Sequence, residues 1–194
     1  MYVQSNYEFS VASKEFPTRR LTVDERFVNP PQEMLDRISL ESRKVKDIFA
    51  HIEANRLWRG PFLLPVPGGI TSSFGRKNIL NGEPRSPHSG TDFRAEEGVP
   101  VRAPNYGLVA LVDNLYYSGN TVVINHGQGL YSYFAHLSRS LVNTEDRIAP
   151  EDIIGYVGST GRVTGPHLHW SMRINNTRVD PLSLVQLLSE GSTN

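Results

Sequence analysis

The pattern of apolar and polar residues divides the chain into two parts that meet near Gly60. Residues 7–28 alternate apolar and polar side chains, which predicts two short strands joined by a turn near Phe16-Pro17-Thr18. From Gln32 to about Leu57, apolar residues recur at helical spacing and acidic residues tend to precede basic ones. This pattern predicts one amphipathic helix, with Asn29 as a possible cap and the two following prolines at its start.

Beyond residue 60, short apolar runs are separated by glycine, asparagine and proline turns at intervals of about ten residues, which is typical of an antiparallel β domain. The runs are residues 62–66, 99–103, 107–112, 121–125, 130–135, 153–157 and 168–174. A short helix is expected over residues 182–188. We therefore predict a mainly β protein with an antiparallel sheet or sandwich domain at residues 61–188. An extension at residues 1–60, with a strand pair and one helix, precedes it.

Composition narrows the classes of function. The chain has 194 residues, with 20 basic and 20 acidic side chains, so no overall field favours nucleic acid. There is no cysteine, which excludes disulfides and thiolate zinc sites, and no apolar run approaches the ~18 residues of a membrane span. The first residues lack the basic and apolar regions of a signal peptide. Tyr2 onward is expected to continue an upstream domain.

Five of the six histidines lie in the β-rich part, at positions 88, 126, 136, 167 and 169. An isolated histidine is usually a satisfied surface or core residue. His167 and His169, however, alternate at the start of a predicted strand, so their side chains share a face about 6.5 Å apart. One could bind a metal while the other stands beside it, and His88-x-x-x-Asp92 supplies a second pair. Three ligands of the type His, Asp, His, without an evident fourth, are typical of a catalytic zinc site.

The order and spacing of several motifs resemble the lysostaphin/LytM-type zinc metallopeptidases, which cut peptide cross-links in peptidoglycan. The resemblance covers roughly residues 62–184 and is highly specific. Its motifs are Ser73-Phe74-Gly75-Arg76, His88-Ser89-Gly90-Thr91-Asp92, Gly98-Val99-Pro100-Val101-Arg102-Ala103-Pro104, Gly127-Gln128-Gly129-Leu130-Tyr131-Ser132, Ala135-His136-Leu137-Ser138, residues 155–161 and Pro166-His167-Leu168-His169-Trp170.

The resemblance implies that His88, Asp92 and His169 bind Zn²⁺ and that His136 and His167 form the catalytic pair. Bound zinc lowers the pKa of water toward ~7 and polarises the scissile carbonyl. Each remaining imidazole could take a proton from that water or donate to the oxyanion, and the choice between them stays open. His126 is expected to be a turn residue at the end of a strand.

Asn81, Tyr131 and Tyr133 are candidates for the wall of the substrate cleft, with core packing an equal alternative for both tyrosines. One departure from the family is the absence of glycine between Asn143 and Asp152, where relatives often carry a glycine-rich turn. This difference affects a surface loop and no catalytic position.

The leading hypothesis is a zinc endopeptidase that acts on peptidoglycan peptides in the cell envelope, periplasmic or secreted, without nucleic acid or a membrane span. The main rival is a non-catalytic LytM-like module that binds and activates a cell-wall amidase, but this chain keeps all five site residues. A third possibility is an intact site shielded by residues 1–60 or by an upstream domain.

Overall fold

The computed structural model of the protein describes residue 8 and residues 10–190. Within these residues the chain forms thirteen strands, two α-helices and one 3₁₀ turn at Glu25–Phe27. The helices are α1 (Gln32–Ala50) and α2 (Pro181–Glu190). The strands are β1 (Thr18–Leu21), β2 (Ile70–Ser72), β3 (Lys77–Leu80), β4 (Glu83–Arg85), β5 (Thr91–Phe93), β6 (Pro100–Arg102), β7 (Gly107–Leu115), β8 (Gly119–Gly127), β9 (Leu130–Ser140), β10 (Arg147–Ile148), β11 (Ile153–Val157), β12 (Leu168–Ile174) and β13 (Thr177–Val179).

Ten of these strands belong to one antiparallel sheet, which confirms the predicted mainly β class. Its strand order is β10-β7-β8-β9-β12-β5-β2, with β11 pairing β9 and β6, and β13 pairing β12. A separate small sheet contains β1, β3 and β4, and there β1 runs parallel to β3. Strand pairing therefore joins residues 18–21, near the start of the chain, to residues 77–80.

The larger hydrophobic core lies against one face of the main sheet, and a smaller cluster around Phe49 of α1 and Tyr131 of β9 is separate from it. β12 shows how the larger core is built. Leu168, Trp170 and Met172 are fully buried in this core, whereas the intervening His169 and Ser171 face the other way. The indole of Trp170 stacks on Phe134 of β9 with ring centroids 6.4 Å apart. Period-two alternation thus leaves the opposite face of β12 free for chemistry.

The predicted strand pair near the start of the chain is realised differently. Thr18–Leu21 forms β1, which begins where the turn was predicted and pairs with β3. Residues 8, 10 and 11 form no strand, while Tyr7 and Phe9 lie outside the described residues. The parallel partner satisfies the backbone of β1 without a hairpin.

The helix ends earlier than the periodicity predicts. It stops at Ala50, and His51 takes an extended conformation. The backbone then runs to β8, where the amides of Leu57 and Trp58 donate to the carbonyl of His126 at 2.8 and 3.2 Å. These tertiary hydrogen bonds compete with continued helix. No helix among the described residues is long and apolar enough to cross a membrane.

Candidate metal centre

Neighbouring strands of the main sheet bring predicted ligands together. Asp92, the middle residue of β5, pairs with His169 of β12, and His169 pairs on its other side with Ala135 of β9. Leu168 and Trp170 flank His169 and point into the core, so His169 faces away from it. Strand pairing therefore fixes the relative positions of Asp92 and His169.

Donor atoms of His88, Asp92 and His169 converge on one point. Oδ1 of Asp92 lies 2.8 Å from Nε2 of His88 and 2.8 Å from Nδ1 of His169, and these two nitrogens are 3.1 Å apart. All three residues are buried. Nδ1 of His88 donates to the carbonyl of Ser73 at 2.9 Å, so Nε2 of the neutral ring carries a lone pair.

Lone pairs that face one another at such distances repel unless a positive charge lies between them. Imidazole nitrogen with carboxylate oxygen is a donor set that suits zinc. The three residues could therefore hold a divalent metal ion, as the sequence predicted. The carbonyl of Ser73 supplies the outer hydrogen bond that orients a ligating histidine.

The protonation states suit metal binding. Burial acts to raise the pKa of Asp92, but the neighbouring imidazoles of His169 and His88 outweigh it and hold that pKa well below its usual range. Burial lowers the pKa of His169, with the Asp92 carboxylate acting against it. An ionised carboxylate and a neutral imidazole are the forms that a metal requires.

The two remaining predicted histidines stand beside this centre. Nδ1 of His136 donates to the carbonyl of Thr160, and Nδ1 of His167 donates to the carbonyl of Gly165, both at 2.9 Å. The imidazole centroids of His136 and His167 are 5.0 Å apart. Nε2 of His167 lies 3.9 Å from Oδ1 of Asp92. In the neutral rings each Nε2 is therefore unprotonated and free to accept a proton.

The environment of His136 keeps its ring neutral. Burial, followed by the neighbouring imidazoles of His169 and His167, lowers the pKa of His136 to about 3, against the smaller effect of the Thr160 carbonyl. A neutral ring keeps the Nε2 lone pair available.

A groove of about 410 Å³ contains all five residues, His88, Asp92, His136, His167 and His169. Of the predicted cleft-wall residues, Tyr133 lines this groove, and its hydroxyl donates to Ser118 Oγ at 2.7 Å. Tyr131 is instead buried against Phe49, with its hydroxyl on the carbonyl of His51. Core packing is thus the correct alternative for Tyr131.

Asn81 does not reach the groove either. Its side chain bonds both the amide and the carbonyl of Val23 at 2.9 and 3.0 Å, at the turn between β3 and β4. The prediction of a cleft-wall role is corrected. The Asn81 amide is instead used to connect the segment at Val23 to the turn between β3 and β4.

His126 lies near the end of β8, as expected, but inside the protein. Its ring is fully buried between the carbonyl of Tyr106, at 2.7 Å from Nδ1, and the hydroxyl of Ser132, at 2.9 Å from Nε2. Burial lowers its pKa to about 4. Both ring nitrogens are satisfied, so His126 is structural.

None of the four arginines that line the groove was singled out from the sequence, and two of these arginines are Arg19 and Arg162. Arg19 of β1 reaches the metal centre, with Nη1 3.2 Å from Oδ2 of Asp92. Arg162 comes from the loop between β11 and β12. Neither Arg19 nor Arg162 was assigned a role by a motif in the sequence. Only the parallel pairing of β1 with β3 brings Arg19 near Asp92.

Comparison with known proteins identifies relatives through this part of the chain. A family model described as peptidase family M23 matches residues 86–181, about half of the chain. A DD-carboxypeptidase/endopeptidase, Mpg, of Neisseria meningitidis is 42% identical over 97 residues, which is 50% of this chain and 22% of that protein. The peptidoglycan DD-endopeptidase ShyA of Vibrio cholerae is 40% identical over 97 residues, which is 50% of this chain and 23% of that protein. The chain thus spans less than a quarter of the length of these relatives.

Solved structures share the fold. A proposed M23 peptidase from Pseudomonas aeruginosa has 34% identity and a TM-score of 0.71, covering 81% of this chain and 64% of that one. A zinc-containing peptidase from Vibrio cholerae has 35% identity and a TM-score of 0.59, covering 63% and 39%. The catalytic domain of lysostaphin from Staphylococcus simulans has 29% identity and a TM-score of 0.55, covering 61% and 92%. The residues matched by the family model, 86–181, include the three residues of the candidate metal centre.

Proposed function

Because the chain belongs to peptidase family M23, we propose that it is a zinc-dependent endopeptidase that hydrolyses amide bonds in peptidoglycan stem peptides or their cross-bridges. The observation that carries this proposal is the convergence of a His/Asp/His ligand set and two further imidazoles in one groove. Relatives named as peptidoglycan endopeptidases support the substrate class. That substrate would place the protein's action in the cell envelope.

His88, Asp92 and His169 would hold the zinc ion. When bound, zinc polarises the scissile carbonyl and makes a water molecule more acidic. The hydrogen bond from Nδ1 of His88 to Ser73 keeps the donor atom of that ligand aimed at the centre. Register between β5 and β12 does the same for Asp92 and His169.

His136 and His167 would transfer the proton of the attacking water. Their Nδ1–H groups are held by the carbonyls of Thr160 and Gly165, so each Nε2 offers a lone pair within the groove. One of these atoms takes the proton from the attacking water as the C–O bond forms. The same proton then passes to the amide nitrogen, which leaves as an amine when the C–N bond breaks.

The rival function is a non-catalytic module that binds and activates an amidase. Such a module has no need of a complete ligand set or of two imidazoles with free lone pairs. Metal content separates the two functions, because a module without a working centre should not retain one zinc ion per chain.

Histidine substitutions test the proposal. His169→Ala should abolish both zinc retention and hydrolysis, because it removes a ligand. His136→Ala and His167→Ala should each lower kcat by ~10²–10⁴ and keep most of the metal, because they remove proton transfer and leave the ligands. Mass spectrometry of muropeptides released from defined peptidoglycan measures turnover, and elemental analysis measures zinc.

His51→Ala provides the matched control, since His51 is exposed at the end of α1 and outside the groove. It should retain full activity and full zinc content. Full turnover by His136→Ala would refute the assigned roles, and loss of zinc in that variant would make His136 a ligand.

A further inference from the structure

The groove is strongly cationic although the whole chain has no net charge. Four arginines line it, at positions 19, 162, 173 and 178, against a single acidic residue, Asp92. That carboxylate is already engaged by its histidine neighbours and by Arg19. The remaining positive charge therefore has no counterpart within the groove, and a bound substrate could supply one.

Arg162 is the most notable of these arginines, because it is half-buried and its guanidinium has no ion pair or hydrogen bond within the described part of the chain. The guanidinium lies over the face of Tyr117, with Cζ 4.8 Å from the ring centroid. By comparison, Arg173 of the same groove bonds Asn176 at 3.0 and 3.1 Å.

The backbone holds Arg162 in a fixed position. Its amide donates to the carbonyl of Tyr117 at 2.8 Å. The preceding Gly161 has a φ of +75°, and a Cβ there would lie 2.4 Å from the amide nitrogen of Gly119. Thr160, which binds Nδ1 of His136 through its carbonyl, belongs to the same segment. The loop therefore fixes Arg162 and a catalytic imidazole together.

The charge of Arg162 is poorly compensated. Burial lowers its pKa, and the nearby positive charges of Arg85 and Arg19 act in the same direction, while Tyr117 opposes them. A partly buried cation without a counter-ion is unfavourable, and such residues concentrate at functional sites. A planar guanidinium with free N–H groups matches a carboxylate, which it can bind through two hydrogen bonds.

We propose that Arg162 binds a carboxylate of the substrate, on a residue that flanks the scissile amide. This inference rests on the proposed peptidoglycan endopeptidase function and narrows its substrate class. Cross-links with a free carboxylate next to the cleaved bond would be preferred, and bridges built only from glycine, which have no such group, would be poor substrates.

Two synthetic stem-peptide dimers test this preference on the zinc-loaded full chain. They are identical except that the free carboxylate next to the scissile amide is converted to a carboxamide in one of them. The wild type should show a kcat/KM that is ~10- to 100-fold higher for the carboxylate peptide, mainly through KM. Arg162→Gln should reduce kcat/KM for the carboxylate peptide to about the level of the carboxamide, and Arg162→Lys should restore part of the preference.

Arg139→Gln is the matched control. Arg139 also stacks on a tyrosine, Tyr156, at 4.8 Å, but it is exposed and does not line the groove. Its substitution should leave the preference between the two peptides unchanged. The proposal is overturned if the wild type does not discriminate, or if Arg162→Gln slows both peptides equally, as loss of a purely structural contact with Tyr117 would.

A binding measurement separates this inference from the proposed function. Calorimetry on the His136→Ala chain, with and without Arg162→Gln, gives the Kd of each uncleaved peptide. Tighter binding of the carboxylate peptide that depends on Arg162 supports the carboxylate site even if the wild type cleaves neither peptide, in which case only the endopeptidase proposal fails. Equal binding of both peptides refutes the carboxylate site whatever the activity.

Discussion

The backbone of His136 departs from regular strand geometry, and this departure places its side chain in the groove. In β9, Phe134 and Leu137 are fully buried in the core, while both residues between them, Ala135 and His136, line the groove. The pairing with β8 shifts register at this point, and His136 has a φ of +65°. Strict alternation would place His136 on the same face as Phe134. The bulge turns its imidazole toward the metal centre.

The left-handed backbone of His136 leads us to expect an effect on the free energy of unfolding. A left-handed backbone costs a non-glycine residue roughly 1–2 kcal/mol, so His136→Gly should be more stable than His136→Ala by ~1 kcal/mol. Both variants lack the imidazole and its hydrogen bond to Thr160, so the difference isolates the backbone. The free energy of unfolding in urea measures it.

The same pair of substitutions at Arg139 is the control, since that exposed residue of β9 has no positive φ. There alanine should be the more stable, because glycine gains more conformational freedom on unfolding. An alanine variant at position 136 that matched or exceeded the glycine variant would contradict strain at His136.

At the scale of elements, sequence patterns identified the long strands and missed most of the short ones, although β6 was predicted. The apolar run at residues 62–66 forms no strand. Residues 168–174 were predicted with the bounds of β12, because alternation over seven residues is unambiguous. β5 has only three residues and all are buried, so it shows no alternation. β3 and β4 form a short hairpin outside the main sheet. Tertiary contacts, which a local pattern does not contain, define such elements.

The loop at residues 143–152, which contains no glycine, is also maintained by contacts that a local sequence pattern does not contain. Glu145 and Glu151 adopt positive φ values of 76° and 70°, a backbone conformation in which glycine would meet no steric cost. The carboxylates of Asp146 and Asp152 accept hydrogen bonds from the amides of Asn143 and Ala149, each at 2.7 Å. Side-chain capping therefore maintains these turns, and the departure from the family pattern leaves the sheet intact.

β1 is the element whose contribution to the site can be tested directly. Arg19 extends into the groove beside Asp92, with only 26% of its side chain exposed. We expect Arg19→Ser to raise kcat/KM on polymeric peptidoglycan severalfold, because it opens one side of the centre to a bulky substrate. The charge of Arg19 is matched by Asp92, so the preference assigned to Arg162 should persist. Turnover of defined peptidoglycan measures the effect.

Arg20→Ser is the control for this prediction. Arg20 follows Arg19 on the same strand, is exposed, and lies outside the groove. It should leave turnover unchanged. A fall in activity on Arg19→Ser with zinc retained would instead make Arg19 part of the substrate-binding wall.

At the scale of the whole molecule, the ligand set and the histidine pair could be predicted from motifs because their spacing is specific. The groups that hydrogen-bond the outer nitrogens of these histidine rings could not be predicted. The carbonyls of Ser73, Thr160 and Gly165 bind the rings through backbone atoms, which any residue provides. The positions of Arg19 and Arg162 depend on packing between distant segments. Sequence therefore predicted a candidate ligand set, and the structure shows how the donor atoms of its three members are brought together.

Buried His126 couples the stability of the whole fold to pH. Its pKa is about 4 in the folded protein and about 6.5 when exposed. Above pH 6.5 both states are neutral and the full stability is present. As the pH falls from 6.5 to 4, the unfolded state takes up a proton first, so His126 should reduce the free energy of unfolding by about 3 kcal/mol over that range.

His126→Gln, compared with the wild type by urea unfolding from pH 7 to pH 4, measures this effect. The variant should lose about 3 kcal/mol less than the wild type over the range, whatever its stability at pH 7. Parallel pH profiles for the two proteins would show that His126 does not titrate as its burial predicts.

The direct pairing of His169 with Asp92 has a consequence for folding fidelity. Displacing β12 by one residue would present Leu168 or Trp170 to the groove and turn the imidazole toward the core. A chain misassembled in this way would keep its strand content and much of its hydrogen bonding, yet it could not chelate. Stoichiometric metal uptake therefore serves as an assay for correct strand assembly, and it would expose errors that circular dichroism overlooks.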